Sequence, residues 1–256
     1  MGNQLFPKPI IPLKIGNKQL EFYENLLIKS DTGLHNQLSF IVGKEFADEK
    51  DIKILDIAAG EGALSYRLYN QGYKNIDAVD IELKNFKFTD VINFSELNLN
   101  DFESVNLFKE QNFKKYDLVL GIETIEHLEN PWQYLRLLKN LVKDDGLIII
   151  STPNINSIFS KVTFLFLDYF FHFSPASLEY WHINPISTFE MYTICAKTGL
   201  KIKQVFPGGT YPIIWITKSP IFSVMFSFFN IILYPFTRGM KYGWCCIYII
   251  KLNLES

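Results

Sequence analysis

The chain has 256 residues, 48% of them hydrophobic, and a formal net charge of −2. This length and apolar content allow a full core, and they fit one domain with insertions better than two domains. The balanced charge offers no broad basic field, so a nucleic-acid partner is disfavoured. The three cysteines match neither a disulfide framework nor a C-x-x-C metal pattern, and the N-terminus has no signal-like apolar stretch. We therefore expect a cytoplasmic protein.

The first 50 residues predict a helical segment ahead of the main fold. Apolar positions recur at helical spacing in residues 18–29 and again in residues 34–46. The pattern therefore predicts two N-terminal helices.

Residues 51–256 predict a single α/β domain. Seven short apolar segments read as strands, and helical stretches alternate with them. The predicted strands are residues 52–57, 75–80, 91–97, 116–121, 147–151, 201–206 and 246–251, with helices at 62–70, from 131 onward and at 187–198. Strands of this kind, alternating with helices, are typical of a parallel sheet that is covered on both faces.

Two apolar, aromatic-rich insertions interrupt the regular order, at about residues 155–185 and 208–243. The second contains the run IFSVMFSFFNIILYPF, which is shorter than the roughly 20 apolar residues that a spanning helix needs. Core packing and contact with a membrane surface or a partner remain open for these segments, and spanning of a membrane by the second remains a further alternative. Both insertions are expected close to the ligand cleft, beyond the carboxyl ends of strands.

A strand-to-helix turn with two glycines predicts a nucleotide-type cofactor site. In ILDIAAGEGALS, residues 54–65, the strand ends at Asp56, and Gly60 and Gly62 allow close backbone approach to a ligand. Asp80 ends the next strand, where a carboxylate can accept hydrogen bonds from both ribose hydroxyls. These features alone do not separate S-adenosylmethionine (SAM) from NAD, although Ser65 departs from the dinucleotide pattern.

Two further segments carry a family resemblance. YDLVLGIETIEHLENP spans residues 116–131, and LVKDDGLIIISTPN spans residues 141–154. With the glycine turn, they make the chain resemble the class I SAM-dependent methyltransferases, in register over residues 51–154. The most similar subgroup is the ubiquinone-biosynthesis O-methyltransferases and their relatives in polysaccharide and lipid pathways. The resemblance implies a Rossmann-like seven-stranded sheet and SAM as the cofactor.

The resemblance also implies which residues hold SAM. The glycine turn would line the methionine end, Asp80 would hold the ribose, and residues 98 and 99 would lie at the adenine. The expected cofactor-binding residues are therefore Asp56, Ala58, Gly60, Gly62, Asp80, Asn98 and Leu99. Ala58 replaces the family's usual first glycine and Asn98 its usual aspartate, and both departures could loosen cofactor binding.

The E-x-x-E-H pattern at residues 123–127 predicts the catalytic groups. An oxygen acceptor needs its proton removed, and His127, with Glu126 beside it, is the predicted base. A histidine that merely orders the loop is the alternative. Some relatives bind a divalent metal with this pattern and a later histidine. On that resemblance, Glu123, Glu126, His127 and His182 form a candidate site for an ion such as Mg²⁺.

The predicted function is SAM-dependent O-methylation of a small hydroxylated acceptor, such as a sugar or a lipid-linked intermediate. One alternative is an NAD-dependent oxidoreductase or epimerase. Another is a non-catalytic methyltransferase fold that binds at a membrane. A small-RNA substrate is disfavoured by the charge. The sequence makes no prediction about oligomeric state.

Overall fold

A seven-stranded sheet forms the centre of the protein in the computed structural model, which describes residues 14–15, 21–210, 214–216, 219–236 and 243–254. The strands are β4 (Lys53–Ile57), β5 (Asn75–Asp80), β6 (Asn93–Glu96), β7 (Tyr116–Ile122), β8 (Val142–Pro153), β9 (Leu200–Gly208) and β11 (Cys245–Leu252). The order across the sheet is β6-β5-β4-β7-β8-β11-β9, and only β11 runs antiparallel to its neighbours. The prediction of a seven-stranded Rossmann-like sheet is confirmed.

Helices cover both faces of the sheet, because successive buried side chains of each strand point to opposite sides. Leu55 of β4 packs in the cluster that includes Leu135 and Met191, whereas Ile54 packs with Leu38 and Leu64 on the other face. The helices are α1 (Leu34–Glu45), α2 (Ala63–Asn70), α3 (Phe102–Gln111), α4 (Pro131–Leu141), α5 (Ile158–Leu167), α6 (Thr188–Thr198) and α7 (Pro220–Leu233).

The N-terminal segment differs from its prediction. Residues 18–29 were expected to be helical, and residues 18–20 lie outside the described residues. The rest forms a hairpin of β2 (Glu21–Tyr23) and β3 (Leu26–Ile28). Its two turn residues, Glu24 and Asn25, both have positive φ, as the favoured two-residue hairpin turn requires. The prediction of a first helix is therefore wrong, whereas the second predicted helix is confirmed as α1.

The hairpin stays in place because it buries apolar side chains against α2. Leu26 and Ile28 are buried in a small cluster with Ala63, and Tyr66 packs against the same cluster. The side chains of β3 alternate between buried and half-buried, as expected for a strand. The apolar residues of this short segment fit both helical and strand spacing, and this alternating burial accounts for the strand.

The two insertions lie side by side. The first contains α5 and two 3₁₀ turns, Phe171–Phe173 and Pro175–Tyr180. The second contains α7, a 3₁₀ turn at Tyr234–Phe236 and the short strand β10 (Trp215–Ile216), which pairs with β1 (Lys14–Ile15). Helix α5 packs against α7. Within the part of the chain that the structure describes, no helix has the length and apolar character that crossing a bilayer requires.

Candidate cofactor and catalytic site

A cavity of about 570 Å³ opens at the carboxyl ends of the central strands. The strand order reverses between β4 and β7, and α/β proteins build their ligand sites at such a reversal. Most of the predicted site residues line this cavity: Asp56, Ala58, Gly60, Asp80, Glu123, His127 and His182. The structure therefore brings the glycine turn and the E-x-x-E-H segment together around one space.

The glycine turn is held by the acid of the neighbouring strand. The backbone N–H of Gly60 donates to Asp80 Oδ2 at 2.8 Å, and that of Ile81 donates to Asp80 Oδ1 at 2.8 Å. A Cβ atom at Gly60 would meet no atom within 4 Å, so its backbone faces open space. Ala58 has a φ of 60°, a left-handed conformation that costs a residue with a Cβ about 1–2 kcal/mol. The family's usual glycine at this position would avoid that strain.

Asp56 is buried beneath the turn. Ser65 Oγ donates a hydrogen bond to Asp56 Oδ2 at 2.5 Å, and both residues are buried. Burial raises the pKa of Asp56 to about 7, and the hydrogen bond from Ser65 opposes that rise. Ser65, the departure from the dinucleotide pattern, thus acts as the partner of the first acid.

Three of the predicted cofactor residues lie outside the cavity lining. Gly62 has a φ of 87°, and a Cβ there would lie 2.7 Å from the Phe86 ring, so this glycine permits close packing at the start of α2. Asn98 is exposed, and its side-chain oxygen accepts a hydrogen bond from the backbone of Asn100. Leu99 lines a separate small pocket beside Phe102.

Glu123 lines the cavity but is anchored to the two strands behind it. Its φ is 49°. Ser151 Oγ donates to Glu123 Oε1 at 2.8 Å, and Cys245 Sγ donates to Glu123 Oε2 at 3.4 Å. Burial raises the pKa of Glu123 to about 7. Both carboxylate oxygens of Glu123 are therefore engaged with β8 and β11.

Glu126 is a fully buried carboxyl group. Among the described residues, neither of its side-chain oxygens has a hydrogen-bond partner, and Oε1 lies 3.8 Å from His127 Nε2. Burial, followed by the nearby charge of Glu123, raises the pKa of Glu126 well above its ordinary value. The carbonyl oxygen of Glu126 accepts hydrogen bonds from Ile183 and Asn184, which ties the end of the first insertion to the site.

Two histidines meet at the mouth of β7. The ring centroids of His127 and His182 are 4.9 Å apart in an edge-to-face arrangement. Burial is the main cause that lowers the pKa of both rings, so both are neutral near pH 7. His182 Nδ1 lies 2.9 Å from the carbonyl oxygen of His172, which requires a proton on Nδ1 and leaves the lone pair on Nε2.

Three of the four predicted metal ligands converge. One ligand atom from each of Glu126, His127 and His182 can be chosen so that all lie within 4.8 Å of one another. Glu123 does not join this group, because its oxygens face Ser151 and Cys245.

One wall of the cavity was not predicted from the sequence. It comes from the N-terminal turn and includes Leu27, Lys29 and His35. The Leu27 N–H donates to Glu61 at 3.1 Å, which joins the hairpin to the glycine turn. His35 is buried, its Nδ1 has no hydrogen-bond partner in the segments that the structure describes, and burial lowers its pKa to about 3. No motif marks these residues, since only the folded hairpin brings them to the cavity.

Comparisons with known proteins show the family to which the chain belongs. Residues 33–205 match the model of a family described as "Methyltransferase domain". The chain belongs to this family, and it is a SAM-dependent methyltransferase. The match favours SAM over the NAD-dependent alternative.

The similar curated proteins are O-methyltransferases by name, and a similar solved structure shares the fold. A ubiquinone biosynthesis O-methyltransferase of Rickettsia typhi is 27% identical over 67% of this chain and 70% of its own length. One from Rickettsia bellii is 32% identical over 46% of this chain and half of its own length. The crystal structure of a SAM-dependent methyltransferase from Archaeoglobus fulgidus aligns with a TM-score of 0.57 at 18% identity, covering 85% of this chain and 94% of that chain. This last likeness concerns the fold alone.

Proposed function

We propose that the protein transfers the methyl group of SAM to a hydroxyl oxygen of a small acceptor, a sugar or a lipid-linked intermediate. The observation that carries the proposal is one shared cavity: Gly60 and Asp80 line it on one side, and His127 and His182 on another. The names of the similar proteins, which specify O-methylation, support oxygen as the methylated atom.

The residues around the glycine turn suit SAM. The Asp80 carboxylate has acceptor capacity beyond the two backbone N–H groups that it already holds, which suits a ribose hydroxyl. The open space at Gly60 allows a ligand to approach the backbone. Asp56 lies below this turn, and its hydrogen bond from Ser65 anchors the turn to α2.

The reaction needs positioning and one proton acceptor. The acceptor oxygen forms a bond to the methyl carbon while the carbon–sulfur bond breaks, and the bonding pair remains on sulfur. The hydroxyl proton goes to the neutral imidazole of His127, which faces the cavity. His182, oriented by the His172 carbonyl, lies beside that imidazole and positions it.

As an alternative to the role of His127 as the base, we also propose that Glu126, His127 and His182 hold a divalent ion, in which case the free lone pair of His127 would bind the ion instead of the proton. The fit rests on the buried oxygens of Glu126, which lack partners within the described part of the chain, and on the two imidazoles within reach. A bound cation would lower the pKa of a coordinated acceptor hydroxyl. Two nitrogen donors and one carboxylate suit Mn²⁺ better than Mg²⁺, which prefers oxygen ligands.

The test is a turnover assay with the full chain. Formation of S-adenosylhomocysteine is measured with SAM and a panel of hydroxylated acceptors: a glycoside, a catechol and a polyprenyl phenol. Each is assayed after chelation and after return of Mn²⁺ or Mg²⁺. Methylation at oxygen supports the proposal, and Mn²⁺-restored activity supports the metal. Methylation at nitrogen or carbon would contradict the acceptor class, and full activity after chelation would leave His127 as a base without a metal.

A further inference from the structure

The two insertions together expose an unusual apolar surface. Helix α7 contains no charged residue. Its outward side chains recur at spacings of three and four residues, so they form one face. That face consists of Ile221, Val224, Met225, Phe228, Ile231 and Ile232, with exposures between 49% and 78%.

The polar residues of α7 lie on its inward side, beside Phe226, which packs against the core. Its inward side includes Asn230, which is 1% exposed, and the half-buried Ser223 and Ser227. A helix on a globular protein normally turns its apolar stripe to the core and its polar residues to solvent. An outward face without polar side chains is most favourable where the medium around it is apolar.

Helix α5 extends the same surface. Its last turn exposes four consecutive apolar side chains, among them Leu165 at 75% and Phe166 at 76%. Helix α5 packs against α7, and the exposed apolar side chains of the two helices are together called the α5–α7 face. Contiguous apolar surface of this kind marks a protein or membrane interaction site.

The charge of the C-terminal part of the chain indicates which kind of partner the α5–α7 face binds. No Asp or Glu occurs between Glu190 and Glu255, although the whole chain carries a net charge of −2. The basic residues in the same stretch are Lys197, Lys201, Lys203, Lys218, Arg238, Lys241 and Lys251. Three of them flank α7 in the sequence, Lys218 before it and Arg238 and Lys241 after it, whereas Lys203 is paired with Glu45. Basic residues that flank an apolar helix in the sequence complement the anionic headgroups of a bilayer.

We propose that the α5–α7 face docks the protein on the surface of an anionic lipid bilayer. A second copy of the chain would place like charges opposite each other, which disfavours self-association as the use of this face. The helices lie along the interface with their apolar side chains in the headgroup region, and none spans the bilayer.

The docking face is connected to the catalytic cavity. The Phe159 and Phe171 rings pack at 4.6 Å, and the backbone N–H of Phe171 donates to Ser160 Oγ at 3.3 Å. The 3₁₀ turn that begins at Phe171 supplies the carbonyl that orients His182. Docking thus brings the cavity close to the bilayer, from which a lipid-linked acceptor can enter. This last step rests on the proposed function, whereas docking itself does not.

The experiment is vesicle flotation with the purified full chain. Vesicles of phosphatidylcholine alone are compared with a mixture of phosphatidylcholine and phosphatidylglycerol, at low and high salt. We expect binding to the anionic vesicles that weakens in high salt. Val224→Asp and Phe228→Asp should each weaken it by about tenfold or more, because each places a charge in the apolar contact. Leu107→Asp, at an exposed apolar position on α3, is the matched control and should bind like the native chain.

Three results would overturn docking: no binding to either vesicle, equal binding to both, or normal binding by both α7 variants. A dimer that dissociates in the α7 variants, without vesicle binding, would assign the face to a second copy. Binding of S-adenosylhomocysteine by calorimetry serves as the folding control for every variant. Vesicle binding without methyl transfer would contradict the proposed function but not docking. Methyl transfer without vesicle binding would contradict docking but not the proposed function.

Discussion

Asp80, at the end of β5, accepts a hydrogen bond at 2.8 Å from the backbone of Gly60, in the turn that follows β4. The contact joins the glycine turn, through its backbone, to the side chain of the acid at the end of the neighbouring strand, the two halves of the candidate cofactor site. Asp80 therefore orders the glycine turn in addition to facing the cavity.

Replacement of Asp80 should weaken SAM binding more than the loss of one ligand contact would. Asp80→Ala removes the acceptor for Gly60 together with the group proposed to hold the ribose. We expect an affinity for S-adenosylhomocysteine lower by about 10- to 100-fold, since a hydrogen bond to a charged group contributes about 1.5–3 kcal/mol. Calorimetry measures this. Glu82→Ala, an acid two residues on that does not line the cavity, should bind normally; equal losses in both variants would refute the role of Asp80.

Gly62→Ala should destabilise the fold. The left-handed φ of 87° costs a residue with a Cβ about 1–2 kcal/mol, and the close approach to Phe86 adds to this. Gly43→Ala is the matched control, because Gly43 lies in α1 and a Cβ added there would meet no atom within 4 Å. That change should stabilise the protein by about 0.5–1 kcal/mol. Urea unfolding compares the two, and effects of the same sign would contradict the prediction.

Ionisation of Asp56 should contribute a loss of stability as pH rises from about 4 to 7, opposite in sign to the contribution of buried His35, whose folded pKa is about 3. The Asp56 carboxyl group titrates at about 7 in the folded protein, whereas a carboxyl of the unfolded chain ionises near pH 4. Between these values the folded state holds the extra proton, so the contribution of Asp56 to the free energy of unfolding decreases with pH by up to about 1.4 kcal/mol per unit.

Asp56→Asn isolates this contribution. Urea unfolding at several pH values should show a smaller decrease for Asp56→Asn than for the native chain. Ser65→Ala, which removes a hydrogen bond that favours the ionised form, should extend the decrease to higher pH. Identical profiles for all three proteins would rule out a buried, titrating Asp56.

His127→Gln should slow methyl transfer by about 10²- to 10⁴-fold without changing the affinity for S-adenosylhomocysteine, because it removes the proton acceptor. His182→Gln separates the two roles proposed for this pair. If the two histidines hold a metal, His182→Gln should abolish the effect of Mn²⁺ on the rate of methyl transfer. If His127 acts as a base alone, the rate should fall only modestly. Unchanged turnover in His127→Gln would contradict both.

The sheet could be predicted from the sequence because its strands are short buried apolar runs separated by turn residues. The boundaries were less accurate. Strand β8 begins at Val142, five residues before the predicted start, since Lys143 and its two acidic neighbours extend the strand despite their polarity. Lys143 forms a 2.7 Å ion pair with Asp117 on β7, a cross-strand contact that local hydropathy does not reveal.

The candidate site, like the sheet, could be predicted from the sequence only in part. Asp56, Gly60, Asp80 and His127 lie at or just beyond the ends of buried strands, so strand order alone brings them to one edge. The wall formed by Leu27 and its neighbours depends on a hairpin whose sequence also fits a helix. Pairing between β2 and β3 and packing against α2 decide that outcome, and neither is visible in a short window of sequence.

The position of β11 has a consequence for biosynthesis. This strand follows all the others in the chain, yet it fills the gap between β8 and β9. Its first residue, Cys245, contacts Glu123, and the residue before it, Trp244, lines the cavity. During translation the wall of the candidate site therefore stays incomplete until this late segment has emerged from the ribosome.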